Sequence, residues 1–143
     1  MIVLDAGVAV WALAPGPMDT TWLFSKWAET TLCAPDIWLP EVISAIRGLE
    51  FVGDLTRSEA EQAIMDIFLL DVQTFPTNEA LALASLSWAR RLHQRRAYDA
   101  LYVALAERLG GDFWSADKRL VQALRQIGVT WVHWVGEAFS PSG

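Results

Sequence analysis

The chain has one cysteine, Cys33, among 143 residues. A single thiol excludes an internal disulfide and a multi-cysteine zinc site, and it suits a reducing compartment. The only histidines are His93 and His133, too few and too far apart for a catalytic triad or a His-rich metal site. No apolar run is long enough to span a bilayer. The opening Met1-Ile-Val-Leu-Asp5 carries no basic leader, so no signal peptide is read and a cytoplasmic protein is expected. Basic residues are the minority: 11 Lys and Arg stand against 17 Asp and Glu, for a formal net charge of −6. Such a chain does not grip nucleic acid by bulk charge. Any phosphate contacts must come from a local patch, and an acidic surface also suits a basic protein partner. Repeats, low-complexity segments and interdomain linkers are absent as well, so residues 1–143 are read as one domain.

What the chain has in quantity is apolar surface. Hydrophobic residues make up 53 % of it, enough for a substantial core. Its eight tryptophans, Trp11, Trp22, Trp27, Trp38, Trp88, Trp114, Trp131 and Trp134, read as core or as dimer surface.

Short apolar runs alternate with helical patterns. Ile2-Val3-Leu4 reads as a strand, followed by a helix from Ala6 to Leu13 that Pro15-Gly16-Pro17 stops. A helix over Thr20–Glu29 and a strand over Thr31–Ala34 come next. Asp36 is the expected N-cap of a helix reaching Phe51, with Pro40 tolerated in its first turn. Thr56-Arg57-Ser58-Glu59 has the capping-box form and opens a helix to Leu70. A strand at Asp71–Phe75 leads to a helix capped by Thr77-Asn78-Glu79. After the Ala97–Ala106 helix, which Gly110-Gly111 ends, come a strand at Phe113–Ser115, a helix opened by Asp117 and a strand at Val129–Val135. Strands separated by helices predict an α/β sandwich with a mainly parallel central sheet. Ligands in such folds bind beyond the C-terminal strand ends.

The helix over Ala97–Ala106 organises the rest. Ala97, Leu101, Ala104 and Leu105 form one apolar row, and Tyr98, Tyr102 and Ala106 form a second. A helix apolar on most sides is buried, which puts Asp99 at its mouth, where a carboxylate needs an answering charge. Asp5 and Asp117 each follow a strand and leave the same edge of a parallel sheet. Glu41 lies in Trp38-Leu39-Pro40-Glu41-Val42-Ile43, embedded among apolar neighbours. Four carboxylates in one cleft raise one another's pKa unless a cation neutralises them. A hard, oxygen-preferring ion such as Mg²⁺ or Mn²⁺ answers that need and can activate water for displacement at phosphorus. The competing reading is local: Asp5, Asp99 and Asp117 all precede helices, where Asp is a standard N-cap contributing about 0.5–2 kcal/mol.

Four segments weigh against caps alone: Val3-Leu4-Asp5-Ala6, Pro35-Asp36 with Pro40-Glu41-Val42, Tyr98-Asp99-Ala100-Leu101-Tyr102-Val103-Ala104-Leu105-Ala106, and Trp114-Ser115-Ala116-Asp117-Lys118-Arg119-Leu120. Together they resemble a PIN-domain protein, and more narrowly the VapC-type ribonuclease toxins. The resemblance runs in order over nearly the whole chain. It implies a three-layer α/β/α sandwich and a Mg²⁺- or Mn²⁺-dependent endoribonuclease, often dimeric and commonly inhibited by a small antitoxin. It also implies that Asp5, Glu41, Asp99 and Asp117 are the metal-holding and catalytic acids. Glu41 would orient or deprotonate the attacking water, and Ser115 would position a ligand water or a carboxylate. Two positions depart from the family pattern: Gly7 stands where Ser or Asn is common, and Ser44 where Asn is frequent. Both are supporting polar positions, so the departures bear on activity more than on the metal site.

Arg90, Arg91, Arg95 and Arg96 with His93 make the one basic concentration, and Lys118 and Arg119 adjoin Asp117. Arg95, Arg96, Lys118 and Arg119 are candidate RNA phosphate contacts; a solvated helix end complementing the dipole is the alternative for the arginine run. Two other functions stand beside the nuclease. One is a catalytically weak PIN-like binding module whose acids hold a basic partner segment. The other is an α/β phosphatase, disfavoured because Ala6-Gly7 follows Asp5 instead of a second acid two positions on.

Overall fold

The computed structural model describes residues 1–14 and 20–139. The predicted Pro15-Gly16-Pro17 stop lies outside the described residues. Five strands form the sheet: β1 (Ile2–Leu4), β2 (Leu32–Pro35), β3 (Val72–Phe75), β4 (Asp112–Ser115) and β5 (Val132–Trp134). Every pairing is parallel, in the order β3-β2-β1-β4-β5. The register sets Val3 beside Cys33 on one side and Phe113 on the other. The chain builds outward from β1 to β3, then crosses back to place β4 on the other edge of β1. The direction of winding therefore reverses between β1 and β4, which is where open α/β sheets leave a crevice at their C-terminal ends.

Seven α-helices connect the strands among the described residues: α1 (Ala6–Leu13), α2 (Thr21–Trp27), α3 (Trp38–Phe51), α4 (Arg57–Ile67), α5 (Glu79–Arg91), α6 (Tyr98–Leu109) and α7 (Lys118–Gln126). A 3-10 turn over Val135–Phe139 follows β5. The expected α/β sandwich with a parallel sheet is thus observed. None of the described helices is long and apolar enough to cross a membrane.

Helix α6 is the central packing element. All seven residues from Ala100 to Ala106 are buried, and the helix meets β1, β2, β4 and α5. Its alanines let the backbone approach the sheet closely, while Val103 and Leu105 fill the remaining space at 0 % exposure. Gly110 ends the helix in the left-handed conformation, at φ 65°, which glycine adopts without a Cβ penalty. The Thr56–Glu59 capping box is present in both directions. Trp27, Trp38, Trp88 and Trp114 are core residues, whereas Trp11 is 37 % exposed.

Three local expectations are corrected. Asp36 does not cap α3; Ile37 occupies that position. The Asp36 carboxylate instead accepts from Thr77 N and Thr77 Oγ1 at 3.3 and 3.0 Å, joining the end of β2 to the start of α5. Asp99 does not precede its helix, because Ala97 is the N-cap and Asp99 is the second helical residue. Tyr98 is not part of a buried row: it is 59 % exposed.

Candidate active site

Asp5 emerges from β1 directly at the crevice. Its Oδ1 accepts from Val8 N at 2.9 Å and so caps α1. Its Oδ2 accepts from Ser115 Oγ at 2.5 Å and from Ala116 N at 3.3 Å. Ser115, the last residue of β4, is fully buried. The same hydroxyl oxygen accepts from Asp117 N at 2.9 Å. One buried serine thereby ties the Asp5 carboxylate to the Asp117 backbone just beyond the ends of two adjacent strands. Asp117 Oδ1 takes the α7 cap bonds from Arg119 N and Leu120 N, at 3.0 and 3.2 Å.

Glu41 lies in the first turn of α3 and accepts from the Tyr102 hydroxyl at 2.5 Å. Tyr102 is 2 % exposed, and its ring stacks on Phe113 of β4 with centroids 6.3 Å apart. A buried phenol needs a partner for its hydroxyl, and Glu41 supplies it. Gln94 Nε2 donates to Asp99 Oδ2 at 3.4 Å.

The electrostatics join the four acids into one cluster. Burial pushes the Asp5 carboxyl up to about 6, against hydrogen bonds from Ser115, Val8 and Ala116 that favour its charged form; the Asp99 charge adds to the rise. Asp99 is likewise raised, first by desolvation, then by the charges of Asp117 and Glu41. Tyr102 is pushed well above the usual phenol range by burial and by its bond to Glu41, with Asp5 and Asp99 contributing. Asp99 is thus the acid through which Asp5, Glu41 and Asp117 are linked at the C-terminal edge of the sheet.

The donor set suits a hard divalent ion in its chemistry, since every candidate ligand atom is a carboxylate or hydroxyl oxygen. Among the described residues, no three His, Cys, Asp or Glu side chains are already gathered in metal-holding geometry. The α7 cap bonds fall on Asp117 Oδ1 alone, whereas Asp5 takes its cap bond on Oδ1 and the Ser115 hydroxyl on Oδ2. At Asp117, capping and ligation therefore do not exclude each other.

The basic candidates spread around this edge. Arg95 and Arg96 are exposed just before α6. Lys118 Nζ sits 4.9 Å from the centroid of Trp134, and Arg119 is exposed beside it. Arg91 packs its guanidinium 4.1 Å over Trp88, so it serves α5 more than the crevice. His133 stacks on Trp114 at 5.0 Å and stands apart from the acids.

Tyr102 is the site residue that sequence reasoning missed, because it was counted as apolar. The available signal was its position three residues after Asp99, which puts both on one side of α6. Gly7 also gains a reason. A Cβ there would lie 2.8 Å from Ala116 Cβ and 3.4 Å from Asp5 Oδ1. The close approach of α1 to the β4–α7 junction requires glycine in this chain.

With this geometry established, the comparisons define the class: the chain belongs to the PIN-domain family, whose profile matches residues 2–125. Within that class it is 32% identical over 122 residues to Ribonuclease VapC3 of Mycobacterium tuberculosis, a match covering 85% of this chain and 86% of the relative. The fold is shared with PAE2754 from Pyrobaculum aerophilum, at a TM-score of 0.67 and 18% identity over 96% of this chain and 90% of that one. It is shared too with VapBC2 from Rickettsia felis, solved bound to a DNA fragment from its promoter, at a TM-score of 0.66 and 16% identity over 94% of this chain and 98% of that one. The resemblance read from the four motifs is thereby borne out.

Proposed function

We propose that this protein is a metal-dependent endoribonuclease and the toxin component of a toxin–antitoxin pair, acting as one domain over residues 1–143. What supports this reading is that Asp5 and Asp99 beside the β1–β4 crevice are both raised by burial, with the Asp99 charge acting on Asp5 and those of Asp117 and Glu41 acting on Asp99. Identity to a relative named as a ribonuclease supports the same reaction class. Asp5, Asp99 and Asp117 would hold Mg²⁺ or Mn²⁺, directly or through water, with Glu41 completing the cluster. A divalent ion bound there supplies charge neutralisation at phosphorus and a water of lowered pKa. The chain's own residues do the rest. Ser115 holds the Asp5 carboxylate and the Asp117 backbone amide, Tyr102 holds Glu41, and Glu41 orients or deprotonates the attacking water. Arg95, Arg96, Lys118 and Arg119 receive RNA phosphates on an otherwise acidic surface.

The expected partners are RNA, a small antitoxin and a second copy of the chain. Exposed apolar side chains near the ends of α3 and α4, including Phe51, Val52, Phe68 and Leu69, give protein partners a surface to cover. We place the protein in the cytoplasm, where its substrate is found.

The test is cleavage of single-stranded RNA with Mg²⁺ or Mn²⁺. Cleavage that EDTA abolishes, excess Mn²⁺ restores and Asp99→Asn eliminates is the expected result. Absence of cleavage with either ion, together with binding of a basic peptide at the acids, would establish the binding-module reading instead.

A further inference from the structure

A largely exposed aromatic ring stands beside the acids. Tyr98 opens α6, immediately before Asp99, and is 59 % exposed. Yet it is not on a floppy segment. It sits in the first turn of the most deeply buried helix, so its backbone is fixed relative to Asp99.

Two clefts flank this ring. One, of about 540 Å³, is lined by Asp36, Ile37, Pro40, Glu41, Ser44 and Tyr98. The other, of about 520 Å³, includes Ile37, Ser85, Arg96, Ala97, Tyr98 and Leu101. Both fall within the roughly 300–1,000 Å³ typical of small-ligand sites. Tyr98 and Ile37 are common to the two, so they form the wall between the Glu41 side and the Arg96 side. The first cleft opens onto a proposed catalytic acid. The second pairs an apolar wall with a guanidinium.

That combination is what a single-stranded nucleotide needs: a flat π-face for the base and a cation for the phosphate. We infer that Tyr98 is a base-stacking platform for RNA, holding one nucleotide next to the scissile phosphate in the Arg96 cleft. The charge pattern favours a nucleotide over an acidic or apolar peptide, because the anionic linkage runs from Arg96 toward the acids while only the base meets Tyr98 and Ile37. The inference rests on the nuclease reading and adds a subsite to it. It makes Tyr98 a determinant of where the strand is cut.

The experiment combines a protein change with a substrate change. A single-stranded RNA oligonucleotide is prepared intact and as a series with one abasic residue moved a position at a time. Wild type, Tyr98→Ala and Tyr98→Phe are assayed for kcat and KM with Mn²⁺. On intact RNA, Tyr98→Ala is expected to raise KM about tenfold or more, while Tyr98→Phe keeps the wild-type value. One abasic position is expected to cost the wild type a similar factor and to cost Tyr98→Ala nothing further. If the wild type cleaves but Tyr98→Ala matches it, or loses equally on every abasic substrate, the subsite is wrong and the nuclease reading stands. If the wild type cleaves no RNA under any condition, both fall. Unchanged unfolding midpoints in the variants, expected for so exposed a side chain, assign any loss to the substrate contact.

Discussion

The Tyr102 hydroxyl donates to Glu41 Oε1 at 2.5 Å, across 61 positions of sequence. It links a helix that is buried along most of its length to the one acid that arrives from α3. Removing only the hydroxyl, with Tyr102→Phe, leaves the ring stacked on Phe113 and frees Glu41. Loss of such an orienting partner typically costs about 10- to 100-fold in metal affinity or activity. The expected result is a fall of that size in RNA cleavage with a stability change of about 1 kcal/mol, measured by cleavage rate and urea midpoint on the same preparations.

Asp5 gives the site a pH signature. Its carboxyl is raised from 3.8 to about 6, so the folded protein holds this proton more tightly than the unfolded chain does. Protonation therefore favours folding, and this contribution declines as pH rises from about 4 through about 6. Its size is at most about 3 kcal/mol. In EDTA, the difference in unfolding free energy between wild type and Asp5→Asn should shift in favour of the variant across that window. A difference that stays flat from pH 4 to 8 would mean that the Asp5 charge carries no such cost.

Asp117 separates capping from chemistry. Its Oδ1 caps α7, and asparagine caps as well as aspartate does. Asp117→Asn should leave the unfolding midpoint nearly unchanged while abolishing cleavage. Asp117→Ala should lose both, with a stability cost of about 1 kcal/mol.

Gly7 meets Ala116 so closely that a side chain cannot be added without movement. Gly7→Ser should destabilise the protein by about 1–3 kcal/mol, as overpacking does. Gly7→Ser combined with Ala116→Gly should recover much of that loss. Urea denaturation of the two single variants and the double variant measures the recovery.

Much of this architecture was legible because its signals are local. The Thr56–Glu59 box, the Asn78 cap, the Gly110 stop and the acids that follow β1 and β4 are decided within a few residues by backbone hydrogen bonding. What was not legible depends on distant chain. Asp36 resembles a cap, yet Thr77 claims it from 41 positions away. Tyr98 and Tyr102 share a helix and a residue type, but only the fold decides that one is exposed and the other buried against Glu41. Capping, by contrast, sorts the three aspartates. Asp5 and Asp117 are caps, Asp5 also accepting from Ser115 on its other oxygen, and Asp99 is not a cap at all.

The most direct test of the acid cluster is the thermal unfolding midpoint, followed by tryptophan fluorescence, with and without Mn²⁺. It is measured for wild type, Asp5→Asn and Asp99→Asn. A ligand that binds only the folded state raises its stability, by about 2.7 kcal/mol at a hundredfold excess over Kd. Mn²⁺ should raise the wild-type midpoint by several degrees, and each asparagine variant should lose that gain while being no less stable in EDTA. If Mn²⁺ leaves the wild type unmoved and both variants are simply weaker, the acids are structural and do not form a cation site.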